Sequence, residues 1–188
     1  MSELRTNRIV PRDGLTSGTF NGGGVVQVRH SAFTGIDDTT GGINTALTDF
    51  ESTYNCTITP TRSDSKILIT VAQLLRTHCT NSSVDSAGAG IRLLRGNTVI
   101  VNARDHGATD GSGTYGSRDF SVNAELGAAN LGLVLTKSII FLDSPNSTSA
   151  VTYKTQGRIM NTNMNLKMNP TDTVNNQPSI MILQEVSG

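Results

Sequence analysis

From Val25 to the C-terminus the chain is written in short apolar runs, each closed by Gly, Asn, Asp, Ser or Pro, and this rhythm constrains the fold more than any other feature. "KILITVAQLL" sets Ile67, Ile69 and Val71 on one face and Leu68, Ala72 and Leu74 on the other, the two-residue period of a strand, and its β-branched content fits a sheet better than a helix. "GIRLLRGNTVIVN" repeats the pattern, with Gly96-Asn97 between two apolar runs as a hairpin turn. Further strands are expected in "RDFSVNAEL", "LGLVLTKSIIFLD", "AVTYKTQGRIM", "NMNLKM" and "PSIMILQEV". With the runs at Val25 and Tyr54 this makes about ten short strands, the spacing of a sandwich or barrel. The expected fold is all-β, an antiparallel sandwich or barrel over residues 25–188 with an extended N-terminal arm over 1–24.

The composition agrees. Ser, Thr, Asn and Gly are abundant, while Lys and Glu, the usual coat of surface helices, are scarce. At 188 residues the chain is long enough for one real core and short for two. Fifteen Lys and Arg balance fifteen Asp and Glu, so no net field draws it to nucleic acid or to an anionic membrane. Neutrality also favours association. No apolar stretch reaches bilayer length and "MSELRTNRIV" lacks the apolar core of a signal peptide, which predicts a chain made and kept as a soluble protein. Cys56 and Cys79 form no CxxC motif and are expected as two free thiols.

Residues 1–24 show no sustained period. Isolated apolar residues, Leu4, Ile9, Val10, Leu15 and Phe20, stand among Arg5, Asn7, Arg8 and Pro11. Such a segment cannot bury enough surface to fold alone, and fully extended it reaches on the order of 80 Å, so its spaced anchors suggest docking onto another protein. It ends in Gly22, Gly23 and Gly24. A phosphate-binding glycine loop follows a strand and opens a helix. These glycines precede a strand-like "VVQVRH" with no lysine partner, which predicts a hinge between arm and head.

Two other segments are candidates. Asn102 to Asp119 is a glycine-studded polar loop holding Asp105, His106, Asp110, Tyr115, Arg118 and Asp119. Its spacing is not that of a calcium loop, and nothing fixes two carboxyls at the separation glycoside cleavage needs. A solvated loop is the first reading, receptor contact the second and catalysis the last. Leu131 to Leu142 is apolar on both faces: Leu133, Leu135, Ile139 and Phe141 on one, Val134, Ile140 and Leu142 on the other. A strand covered on both sides need not alternate. The second cover is either a neighbouring subunit, with Leu133, Leu135, Ile139 and Phe141 as interface candidates, or a loop of the same chain. His30 and His78 are lone, the chain has no Trp, and aromatics make up only 4 %, so stacking platforms for nucleic acid or sugar are nearly missing. No cofactor, metal or catalytic residue is expected.

Taken together, "LRTNRIVPRDG", the glycine run, "VVQVRHS", "ITPTRSDSKILITV", "IRLLRGNTVI" and the terminal "PSIMILQEVSG" resemble the small tail-fibre-like virion proteins of marine and cyanobacterial phages. The "KLKVNTI"-like opening of such proteins is matched by Leu4 to Val10, with Arg5 and Arg8 where lysine and other residues often stand. The resemblance implies a virion structural protein assembled in the host cytoplasm. An N-terminal peptide would attach to other virion proteins of tail or capsid, and an antiparallel, jelly-roll-like β-sandwich head would form a homotrimer that meets a host surface glycan or protein. A head decoration or cement protein is the alternative, and a surface-polysaccharide depolymerase a third reading.

Overall fold

The computed structural model describes residues 24–37, 48–50, 52–79, 89–101, 132–159, 164–169 and 178–187. Among them are ten strands: β1 (Val25–Phe33), β2 (Thr48–Asp49), β3 (Asn55–Ile58), β4 (Lys66–Cys79), β5 (Ala89–Arg95), β6 (Thr98–Val101), β7 (Gly132–Asp143), β8 (Val151–Ile159), β9 (Met164–Met168) and β10 (Ser179–Val186). All pairings are antiparallel. The expected strand at "RDFSVNAEL" lies outside the described residues. Among the described residues no helix is long and apolar enough to cross a membrane.

The strands form two five-stranded sheets. The first runs β1-β10-β4-β7, with β9 also on β4; the second runs β2-β8-β5-β6, with β3 also on β8. β2 and β3 share one edge of β8 and act as one broken strand. Counted so, and with β9 set aside as an addition, the chain crosses between the sheets in the order of a jelly roll. The expected all-β antiparallel sandwich is the fold.

The core lies between the sheets and follows the two-residue period. β4 sends Ile67, Ile69 and Val71 inward, β10 sends Met181 and Leu183, and these meet Cys56 and Ile58 of β3, Ile91 and Leu93 of β5 and Tyr153 of β8. Cys56 is a free, buried thiol, and burial raises its pKa. Gly157 of β8 makes room for the Phe50 ring: a β-carbon there would stand 2.8 Å from Phe50 Cε2 and 3.1 Å from Leu166 Cδ2. The expected hairpin at Gly96-Asn97 joins β5 to β6, with Gly96 at φ 56°. That sign is closed to most side chains and is the reason for glycine there.

Two buried polar groups bind the two sheets together, and a third ties β10 to β1 and to the segment before β4. Gln73 on β4 accepts from Thr155 Oγ1 of the other sheet at 3.1 Å, and its amide faces Met168 Sδ. Asp143, at the end of β7, accepts from Tyr153 of β8 at 2.8 Å and from Arg95 of β5 at 3.0 and 3.1 Å. Glu185 on β10 accepts from the Thr61 amide and hydroxyl, both at 2.7 Å, and from Gln27 at 2.6 Å. Burial alone would raise the Glu185 pKa, but the polar groups of Ser65, Gln27 and Thr61 outweigh it and hold it at about 2.

β4 is long enough to carry two strands end to end on one edge: β10 pairs with Lys66 to Ala72, and β9 with Leu75 to Cys79. The backbone between them is closed by side chains. Leu74 donates to Ser179 Oγ at 3.0 Å and accepts from the Asn169 amide at 3.1 Å. Asn169, at φ 50°, also accepts from Ser179 Oγ at 2.8 Å and donates to the Phe33 carbonyl at 2.6 Å.

Candidate functional site

The sandwich turns two unlike faces outward. On the second sheet the outward phase of β8 is Thr152, Lys154 and Gln156, and these are tied to their neighbours. Lys154 Nζ donates to Asp49 Oδ2 at 2.8 Å and Gln156 Nε2 to Asp49 Oδ1 at 2.6 Å. Arg92 of β5 donates to Gln156 Oε1 through Nε at 2.7 Å and through Nη2, and the Thr57 and Thr152 hydroxyls share a bond of 2.7 Å. Burial works against the Asp49 charge, but the bonds from Lys154 and Gln156, with the charges of Lys154 and Arg92, hold its pKa below the ordinary value. A pocket of about 200 Å³ opens beside this network, with Asp49, Asn55 and Lys154 at its mouth and the buried Phe50 and Tyr54 beneath. Ligand pockets run from about 300 to 1,000 Å³, so this one is smaller than a typical ligand site.

The first sheet is the opposite. Its registers line up rows of outward residues across four strands: Val28, Gln184, Leu68 and Leu142 in one, His30, Ile182, Thr70 and Ile140 in the next, and Ala32, Ile180, Ala72 and Ser138 in a third. Ile140 is 71 % exposed, Val28 53 %, Leu142 48 % and Val134 39 %. Leu68, Ile180 and Ile182 are half-buried beside them. Among the described side chains the ionisable groups in this phase are His30, Lys66 and Arg76, with Lys167 of β9 in register beside Arg76. Clean alternation of apolar-in and polar-out is the norm for a sheet with one solvated face, and here it fails on the outer side.

The expected interface residues divide differently from the expectation. Ile139 is buried in the core cluster and Phe141 packs against it, so they cover this chain's own interior rather than a partner. Leu133 and Leu135 pair with Thr77 and Leu75 across the β4 and β7 ladder. The side chains of Leu133 and Leu135 lie outside those described; among the described β7 side chains, the exposed large apolar ones are Val134, Ile140 and Leu142. The correction has a simple cause: in a strand apolar on both faces, the two-residue period says which residues share a face and not which face is inside.

Gly24 is the one residue of arm and hinge within the described residues. Its carbonyl accepts from the Ser187 amide at 3.2 Å, and its φ lies outside the left-handed region. It is therefore bonded to the residue that follows β10, and nothing in its conformation requires glycine. The attachment candidates Leu4, Arg5, Asn7, Ile9, Val10, Pro11 and Phe20, the hinge residues Gly22 and Gly23, and the loop residues Asp105, His106, Asp110, Tyr115 and Arg118 lie outside the described residues.

Among the described residues no three His, Cys, Asp or Glu gather as a metal site. The buried carboxylates of Asp143 and Glu185 are both engaged as acceptors between elements of the sandwich. No protein-family model matches the chain, and no curated protein matches it either.

Proposed function

We propose that the chain is a phage virion structural protein, a tail fibre or tail appendage rather than an enzyme. Residues 1–24 hold it to other virion proteins, and a trimeric β head presents loops, among them 105–119, to a glycan or protein of the host surface. It needs no cofactor, touches no nucleic acid and inserts into no membrane.

The observation that supports this reading is the contrast between the two outer faces. A monomer that meets water on all sides gains nothing from Ile140, Leu142, Val28 and Val134 standing bare in one sheet phase; a unit built into an assembly does. Among the described side chains the other face bonds Lys154 and Arg92 into the Asp49 and Gln156 network, as a solvated surface can. The N-terminal sequence adds the anchor, through its spaced apolar residues and its likeness to particle-attachment peptides.

The test is incorporation. Tagged full-length chain and a chain lacking residues 1–23 are supplied during phage assembly, and purified particles are analysed by mass spectrometry. Gly24 is kept because its carbonyl holds Ser187. The full chain is expected in the particle and the truncated one, still folded, only in the lysate. A truncated chain that incorporates equally well removes the anchoring role, and absence of both removes the virion reading.

A further inference from the structure

We infer that the outer face of the β1-β10-β4-β7 sheet is the surface on which copies of this chain associate, face against face. The inference deepens the trimeric head proposed above and rests on that reading for the identity of the occupant.

Size comes first. Strands of nine, eight, fourteen and twelve residues make up this face. At about 4.8 Å between strands and about 3.3 Å per residue they span about 700 Å². Stable protein contacts bury about 600 to 1,000 Å² per partner, so a single face of this kind is enough. An exposed apolar patch of several hundred Å² on a soluble chain marks an interaction site.

Charge selects the occupant. A partner for this surface must be apolar and nearly uncharged across four strands, since unpaired charges buried against Ile140 and Leu142 would be costly. The same face on a second copy meets that requirement by construction. His30, Lys66 and Arg76 lie among apolar rows; His30 and Lys66 are exposed and Arg76 is half-buried, and Lys66, at the start of β4, can keep its charge in water at the rim. The polar outer face of the second sheet does not meet the requirement, because docking it would desolvate Lys154, Arg92 and Asp49. Shape agrees, since two antiparallel sheets pack aligned at about 10 Å with interdigitating side chains. About a threefold axis the contact is heterologous, so each face is divided between its two neighbours rather than stacked whole on one.

The strand edge fits as well. β7 pairs with β4 alone, so its other edge is open among the described residues, and it carries the most exposed apolar side chain of the face, Ile140. A long edge with apolar residues beside it is a liability unless an assembly covers it.

The test is the association state of the full chain in solution, by sedimentation equilibrium from nanomolar to tens of micromolar. Wild type is compared with Ile140→Lys/Leu142→Lys on this face and with Thr57→Lys/Thr152→Lys on the other. Wild type is expected to associate, the first pair to weaken association roughly 100-fold or more, as burying two charges in place of two large apolar contacts does, and the second pair to leave it unchanged. Far-UV circular dichroism confirms folding; should the lysines at 140 and 142 impair it, Ile140→Ser/Leu142→Ser is read in the same way. A wild type that associates while the variants on this face associate equally well overturns this surface and leaves the trimer standing. A monomeric wild type overturns both, whether its bare face then takes lipid vesicles or another particle protein.

Discussion

The Tyr153 hydroxyl donates to Asp143 Oδ2 at 2.8 Å, from β8 of one sheet to β7 of the other, and Arg95 reaches the same carboxylate at 3.0 Å. This contact is a clasp between the layers. Asp143 is nearly closed to solvent while Arg95 keeps part of its surface in water. Replacing Asp143 with Ala strands a phenol and a guanidinium together, and a loss of about 2 to 4 kcal/mol is expected in urea unfolding. Tyr153→Phe removes only one neutral donor and is expected to cost about 1 kcal/mol. An Asp143→Ala midpoint equal to wild type would show that the clasp holds nothing.

Glu185 makes stability depend on acid. Its folded pKa is held at about 2, below the usual 4.5, so the charged form is favoured by folding. The stabilisation is fully present above the unfolded value and is lost as pH falls through the window from about 4.5 to about 2. Urea midpoints taken from pH 6 to pH 2 are expected to fall across that window. In Glu185→Gln the fall is shallower, and the variant starts lower by about 1 to 3 kcal/mol because Thr61 and Gln27 lose a charged acceptor. Parallel pH profiles for the two proteins would contradict this role.

Gly157→Ala is expected to destabilise by about 1 to 3 kcal/mol, because the new methyl enters the space of the Phe50 ring and the Leu166 side chain. Adding Phe50→Leu frees that space, so the double variant is expected to lose less than the sum of its parts. Strict additivity in a double-mutant cycle would show that the crowding is not there.

Asn169 does two jobs at the junction of β9, β10 and β4. It holds a left-handed φ of 50°, and its side chain bonds Ser179 and the Phe33 carbonyl. Asn169→Gly keeps the backbone and loses the bonds, whereas Asn169→Ala loses both. The expected order of stability is wild type, Gly, Ala, with the Ala variant about 2 kcal/mol below wild type. An Ala variant as stable as the Gly variant would remove the backbone part of this account.

These positions also show what could be read in the letters. The alternation in "KILITV" and "SIMILQEV" announced strands, and Ile67, Ile69 and Val71 do form one buried face. Gly96-Asn97 announced its hairpin because a positive φ selects glycine locally. Glu185 and Gln73 gave no such signal: each stands at an inward position of its strand, and their partners are far away in sequence, Thr61 by 124 residues and Thr155 by 82. The two-residue strand at Thr48–Asp49 is too short to carry a period. The bare outer face was visible only in part. Leu131 to Leu142 read as covered on both sides, but its orientation depends on pairing with β4, and its continuation through Val28, Leu68, Ile180 and Ile182 joins strands that the sequence keeps apart. Periodicity is local, and a sheet face is not.

Whether this chain is a multi-copy part of a phage particle, as proposed above, is decided by imaging the particle. Electron cryo-microscopy of purified particles, with the chain identified by a C-terminal tag, is predicted to show jelly-roll heads grouped in threes on the tail, each group closed over the β1-β10-β4-β7 faces. The same heads arrayed on capsid symmetry would make it a decoration protein. Particles that carry no density and no peptide of the chain would contradict the account.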